Sequence, residues 1–525
     1  MKRATLMIIL VLIACGSAYA ADGVVSWARV YTPTVEAYTS LVYKEGLDVA
    51  DVSPPHYVDV VAPQSTLDEL SGTGYTYEYL QYDCLSPESA GGRGYSGYHN
   101  YEELVNDMNA LFADYPGMCS LRSCGEGHAQ YGYILGLKLT KYASEPVSYV
   151  DMLWENDPSK PDLLIVGCHH AREPMSVEVP LSFATYMCEN YTSDANVRNI
   201  IDNMETYIIP CLNPDGWIYD DVEGARHYWR KNAYDYDGDG TFFEDQGSGR
   251  GEGVDLNRNY TYKWGYDDSG SSPYWSDETY RGPSAGSEPE VQVIMDLAEE
   301  LDFASVISFH SYGEWILRPW GYIDDYSQDN AKFVEMSEVI NDVIYDHVGH
   351  YYKARGGWEL YNTNGDLVDG LYGEYGVLAV TIELNSYSQG GFYPDDSYIA
   401  PTCNMTNEAL LAWANWCVDE FASRYAEEGK TESDGSIRPM FALEASRPNP
   451  VRGTAVFGFS VPETTDGELA IYDISGRKVE TVAEGPFDEG YNEYAADLSN
   501  LASGVYVYRL VAGADSAAKK VVVNR

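Results

Sequence analysis

Basic residues are scarce in this chain. Its 525 residues include 33 Lys and Arg against 82 Asp and Glu, a formal net charge of −49. No Lys/Arg-rich stretch interrupts that acidity. This argues against nucleic acid or an anionic membrane face as a partner, because both need a basic footprint. No Cys-x-x-Cys pair occurs, so a cysteine-built zinc site has no support. Beyond the N-terminus no segment is apolar for long enough to cross a bilayer. The hydrophobic content of 45% is nevertheless that of a folded chain, and the length is too great for one core.

The N-terminus reads as an export signal over residues 1–20. Lys2 and Arg3 give the positive start, Leu6 to Ala14 the short apolar run, and Ala18-Tyr19-Ala20 the cleavage site. Leu12-Ile13-Ala14-Cys15 also resembles a lipoprotein box, and lipid anchoring at Cys15 is the alternative. Export permits disulfides among the other eight cysteines, but spacing does not assign their pairing.

Three folded units follow. Residues 21–94 hold four strand-like runs, with helical stretches between the first and second and between the third and fourth. The order β-α-β-β-α-β predicts a small ferredoxin-like α+β unit, ending in the Gly/Ser/Pro-rich linker "LSPESAGGRGYSG". Residues 95–427 open with an amphipathic helix capped by Asn100 and Glu103. The near-continuous apolar runs "DLLIVG", "ETYIIPC", "FASVISF" and "GVLAVTIE" then alternate with helical stretches. That pattern predicts an α/β fold with a sheet covered by helices on both faces. After a charged linker at 428–439, residues 440–525 show short alternating strands and no helix, as in an all-β sandwich.

The chemistry concentrates where buried strands end in charge. "LLIVGCHHAREP" places His170 and Glu173 three residues apart, so one tight turn aims both at a point. "SVISFHSYGE" ends a second strand in His310, and "GVLAVTIELN" ends a third in Glu383. A catalytic zinc site takes three nitrogen or carboxylate ligands and keeps a position open, and open α/β sheets place such sites at the carboxyl ends of their strands. His169 has no carboxylate three residues on and reads as a packing or supporting residue.

In chain order, "HHARE", "NPDGW", "HYWRKN", "GVDLNRNY", "FHSYGE", "YYKARGG" and "VTIELN" resemble the zinc carboxypeptidases of the carboxypeptidase A/B type, and most of all the bacterial carboxypeptidase T branch. The resemblance spans roughly residues 95–426. It implies one zinc ion held by His170, Glu173 and His310, and Glu383 as the general base. It further implies that Arg230 polarises the scissile carbonyl, that Asn257 and Arg258 grip the terminal carboxylate, that Tyr352 closes over substrate, and that Arg172 serves an outer subsite. The first unit resembles the propeptide of such enzymes, so a secreted zymogen is expected. Val368 falls at the base of the specificity pocket and implies an apolar or aromatic C-terminal residue; Asp366, two residues away, leaves basic side chains open. The last unit, through "RPNP", "LAIYDISGRKVETV" and "LASGVYVYRLVAG", resembles the sorting domain of type IX secretion substrates, which implies that machinery as a partner.

The insert "DYDGDGTFFEDQ" departs from the family. Asp235, Asp237 and Asp239 with Gly240 resemble half of a calcium loop, but its twelfth position is Gln246; a solvated acidic turn is the alternative. A monomer acting on peptides with a free C-terminal carboxylate is the expectation. Two other functions stay open at this point: a zinc amidase on cell-wall peptides, and an inactive binding module on the same scaffold.

Overall fold

The computed structural model describes the chain from residue 25 onward, apart from 33, 43, 45–46, 54–55, 82–96, 142–153, 155–156, 158, 222–227, 241, 243–250, 431–441, 444–445, 447–449, 462–463, 474–476, 489, 514 and 525. The expected signal segment, Cys15, Cys84, Gln246 and most of both linkers lie outside the described residues. The chain divides into two compact units, the first reaching Ser423 and the second beginning at Arg424.

The first unit opens with β1 (Val25–Tyr31), α1 (Val35–Val42), β2 (Asp48–Ser53), β3 (Tyr57–Pro63), α2 (Gln64–Gly72) and β4 (Thr76–Gln81). The four strands form an antiparallel sheet in the order β2-β3-β1-β4, the ferredoxin-like arrangement expected. Its helices cover one face, where Val30, Val52, Val58, Val60, Leu67 and Leu70 are buried together.

The next helix is α3 (Tyr101–Asp114), with the capping box read from sequence in place: Glu103 N donates to Asn100 Oδ1 and Asn100 N to Glu103 Oε2, each at 2.9 Å. β5 (Cys119–Glu126), β6 (Tyr133–Leu139), β7 (Asp162–Val166), β8 (Glu205–Ile209), β9 (Phe303–Ser311), β10 (Trp315–Arg318), β11 (Lys353–Gly356) and β12 (Leu378–Leu384) make one mixed sheet, ordered β11-β10-β12-β9-β7-β8-β6-β5. Its centre, β12-β9-β7-β8, is parallel throughout. These strands are sandwiched by helices, which explains their unbroken apolar runs. α4 (Met175–Asn190), α5 (Ala195–Asn203), α6 (Pro214–Asp220), α8 (Asn330–Val348) and α10 (Ile399–Lys430) contribute to one buried cluster, while α7 (Pro289–Glu300) and α9 (Leu367–Tyr375) contribute to another. α10 runs on into the charged stretch expected as linker, since Ala426, Glu427 and Glu428 all favour helix.

The second unit is all β. β13 (Ala442–Leu443), β14 (Thr454–Val461) and β17 (Gly490–Asp497) form one sheet; β15 (Thr465–Asp473), β16 (Lys478–Phe487), β18 (Gly504–Ala512) and β19 (Asp515–Val523) form the other. Phe457, Phe459, Leu469, Ile471, Tyr508 and Leu510 are buried together in its core, the alternate positions of their strands.

Candidate active site

Three parallel strands deliver the site. His170 and Glu173 lie in the turn just after β7, His310 is the penultimate residue of β9, and Glu383 stands opposite His310 in the β12 register. β7 and β9 are adjacent, so the turn of one reaches the end of the other. Glu173 Oε1 is 2.8 Å from His170 Nδ1, Glu173 Oε2 is 3.1 Å from His310 Nδ1, and the two Nδ1 atoms are 3.1 Å apart. The donor atoms of this buried trio lie within 4.8 Å of one another. Two imidazole nitrogens facing at that distance, with a carboxylate beside both, suit a divalent cation between them. Nitrogen and oxygen donors in this ratio fit a catalytic zinc ion.

Burial acts to raise the Glu173 carboxyl, but the charges and hydrogen bonds of His170 and His310 outweigh it and hold the group far below the carboxylate range. Burial lowers His310. His169 is lowered further by burial among His310 and His170. It does not join the trio: its Nε2 lies 2.9 Å from the Tyr260 hydroxyl and its ring stacks on His310 at 5.2 Å, the supporting place read from sequence.

Asp255, quoted in "GVDLNRNY" but given no role there, ties the site together. Its Oδ1 lies 3.2 Å from His170 Nε2, the nitrogen facing away from Glu173, and accepts Asn257 N at 3.0 Å. Its Oδ2 accepts Arg230 Nε at 3.0 Å and Nη2 at 2.7 Å. A carboxylate on the far nitrogen of a metal-ligating His fixes the ring and its tautomer. Burial opposes the charge of Asp255, but Arg230, Arg258 and His170 hold the acid well below its ordinary value. The missed signal was an acid, Asp255, set inside the buried stretch "GVDL" just before "NRNY".

A cleft of about 730 Å³ opens over these groups. His170, Glu173, Arg230, Asn257, Arg258, Arg172, Val368 and Glu383 all line it. Arg230 Nη1 approaches His170 Nδ1 at 3.3 Å, and Asn257 Oδ1 accepts Leu367 N at 3.0 Å. Asp366 lines the same cleft, but its oxygens accept Thr363 Oγ1 at 2.6 Å and Asp369 N at 2.9 Å as the cap of α9.

Tyr352 does not line the cleft, and that expectation is corrected. It is 4% exposed, with its backbone pinned to Asn341 of α8 by two hydrogen bonds of 2.8 Å, among Ile340, Ile344 and Ile382. Tyr312, which follows β9, and Tyr361, beyond β11, do line it, and burial pushes the Tyr361 hydroxyl up against the opposing charges of Arg258 and Arg230. Tyr352 and Tyr361 both sit in polar, Gly-rich sequence, and spacing alone did not separate them.

The calcium expectation is also corrected. Asp235, Asp237 and Asp239 do gather within 4.8 Å at an exposed turn. However, Asp235 accepts Gly238 N at 2.7 Å and Gly240 N at 2.8 Å, and Asp237 accepts Asp239 N at 3.1 Å. Backbone hydrogen bonds close the turn, as in the solvated alternative, and calcium has no support beyond the gathering of the three acids.

The first unit's small sheet enters the same cleft. Val49 and Ala50 of β2 line it, and Asp48 accepts Arg172 Nη1 at 2.7 Å and Nη2 at 2.9 Å. Trp27 packs edge-on against Tyr312 and Tyr387 at 5.2 and 4.8 Å.

A buried His-Glu-His trio at the carboxyl ends of the parallel strands of a mixed sheet, with a carboxylate and two arginines across a cleft, defines a metal-dependent hydrolase. Residues 104–409, more than half of the chain, match the family "Zinc carboxypeptidase", and the chain belongs to that family. It is a metallocarboxypeptidase, and the family implies zinc at the trio. Residues 447–524 match the "Secretion system C-terminal sorting domain". The chain is 29% identical over 339 residues to carboxypeptidase B of Astacus astacus, covering 62% of this chain and 99% of that one. It is 27% identical over 344 residues to a zinc carboxypeptidase of Saccharothrix mutabilis subsp. capreolus, covering 63% and 72%. Among solved structures it shares the fold of the carboxypeptidase A from Helicoverpa armigera, with a TM-score of 0.61, 22% identity, and coverage of 77% of this chain and 99% of that chain. Thrombin-activatable fibrinolysis inhibitor gives a TM-score of 0.61 at 22% identity, covering 75% and 99%.

Proposed function

We propose that the protein is exported as a zymogen and, once freed of its N-terminal unit, removes C-terminal residues from peptides. The carrying observation is that His170, Glu173, Arg230, Arg258 and Glu383 all line one cleft, with His310 buried against Glu173 beside it. His170, Glu173 and His310 would hold the zinc ion, which would supply Lewis acidity when bound. Arg258 binds the substrate's free carboxylate through its guanidinium fork, and Asn257 supplements it. That contact sets the last peptide bond, and no other, beside the catalytic groups. Glu383 takes the proton of the attacking water and passes it to the leaving amine. Arg230, held by Asp255, stabilises the charge that grows on the carbonyl oxygen. Tyr361 takes the role first given to Tyr352, closing the cleft beside Arg258.

The specificity pocket favours an apolar or aromatic C-terminal side chain. Val368 offers it no charge, and Leu360 lines the same cleft. Burying an unpaired ammonium is costly, whereas a buried Phe or Leu gains about 1.5 to 3 kcal/mol. Asp366 lines the cleft as well, which leaves basic residues as a second class.

Latency rests on β2, whose Val49 and Ala50 take up cleft space while Asp48 neutralises Arg172. The C-terminal unit addresses the enzyme to the secretion machinery, for release or display at the cell surface. Peptides incubated with protein lacking residues 1–94 test the reading by mass spectrometry. Stepwise loss of C-terminal residues is expected; cleavage inside the chain, or none, overturns it.

A further inference from the structure

Seven cysteines lie among the described residues, all as free thiols in this structure, and four of them meet in thiol–thiol hydrogen bonds: Cys168 with Cys211, and Cys119 with Cys188. The first pair is held in place by the backbone. Cys168 follows β7 and Cys211 follows β8, and the two strands are parallel neighbours with Val166 opposite Ile209. Backbone hydrogen bonds still join the two segments past both strand ends, with one extra residue on the β8 side: Gly167 N donates to Ile209 O at 2.9 Å, Leu212 N to Gly167 O at 3.0 Å, and Asn213 N to Cys168 O at 3.0 Å. The two residues therefore stand side by side, 0% and 3% exposed. Cys168 also has φ +56°, a left-handed conformation that asks for a reason in a residue with a Cβ, and Ser176 Oγ accepts its N–H at 3.0 Å. No comparable ladder links β5 to α4 at Cys119 and Cys188.

We propose that Cys168 and Cys211 form a disulfide in the exported protein, tying together the strand ends from which His170 and Asn213 project. The inference rests on the secretion reading, because disulfides persist in oxidising compartments. The oxidant is the disulfide of a thiol–disulfide oxidoreductase met before folding buries the pair. One cysteine thiolate attacks it, giving a mixed disulfide and releasing one oxidant thiolate. The second cysteine thiolate then displaces the other oxidant sulfur. Two electrons pass to the oxidant, and the two protons lost by the cysteines end on its two thiols.

The test is peptide mapping of full-length protein recovered from the medium or cell surface. The sample is denatured with an alkylating reagent and no reductant, then digested. The expected product is one cross-linked species joining the Cys168 and Cys211 peptides, two hydrogens lighter than their sum, which separates into two alkylated peptides only after reduction. In a Cys211→Ala variant Cys168 should become alkylated without reduction. Alkylated Cys168 and Cys211 in the unreduced wild-type protein, or either one linked to a different cysteine, overturns the proposal. Absence of the protein from medium and surface fails the secretion reading instead, so the two failures are distinguishable.

Discussion

The carboxylate of Asp48, on an edge strand of the N-terminal sheet, accepts both terminal nitrogens of Arg172, at 2.7 and 2.9 Å, beside the proposed metal ligands. Arg172 is fully buried and its guanidinium also lies over the Phe392 ring at 4.2 Å. Breaking one side of a buried ion pair typically costs about 3 to 5 kcal/mol. Asp48→Asn should therefore loosen the N-terminal unit, and full-length Asp48→Asn protein should hydrolyse a test peptide at least tenfold faster than full-length wild type. After removal of residues 1–94 the two should be equal. Equal rates at full length would remove Asp48 from the latency device.

His310→Ala should lose zinc. The site would keep one nitrogen and one carboxylate, too few for a retained catalytic ion. Metal analysis should find about one zinc per wild-type chain and far less than one in the variant. Full retention would mean that the ligand set is different.

Glu383→Gln should keep zinc and fold while kcat falls by several orders of magnitude, because the ligands remain and the base is gone. Near-normal turnover would assign proton transfer to another group.

Tyr361→Phe and Tyr352→Phe form a matched pair. Tyr361 lines the cleft and Tyr352 is packed against α8. Steady-state kinetics should show a several-fold loss of kcat/KM for Tyr361→Phe and little change for Tyr352→Phe. The reverse pattern would restore the first assignment.

Stability should depend on pH through His99. Its imidazole is pushed up to about 9 from 6.5 by hydrogen bonding to Glu178, against the opposing effect of burial, and Asp107 adds to the rise. Nδ1 lies 2.8 Å from Glu178 Oε2 and Nε2 3.1 Å from Asp107 Oδ2. A folded-state pKa above the unfolded one contributes stability that is complete below pH 6.5 and lost as pH rises toward 9. The melting temperature of the first unit should fall across that window in the wild type, and the fall should be smaller in His99→Gln. An identical slope in both proteins would contradict this role.

The sequence by itself determined the α/β layering and the strand ends that carry His170, Glu173, His310 and Glu383. Those features are local: a strand buried on both faces reads as an unbroken apolar run, and a charge that ends such a run has to lie at the sheet edge. The N-terminal and C-terminal β units were legible for the same reason, through alternation and turn residues. Only the tertiary structure decided between Tyr352 and Tyr361. The two flank β11 in similar polar sequence, but Asn341 of α8 fixes Tyr352 inside, while the chain beyond β11 turns Tyr361 toward Arg258. Asp255 was likewise settled in three dimensions, because its partners Arg230 and His170 are 25 and 85 residues away. So was the contact between Cys168 and Cys211, since it is strand adjacency, not spacing, that brings two side chains together across a parallel pair. The calcium-like insert shows the converse: its acids do gather, but in an exposed turn closed by backbone hydrogen bonds to Asp235 and Asp237, a local geometry that no spacing pattern displays.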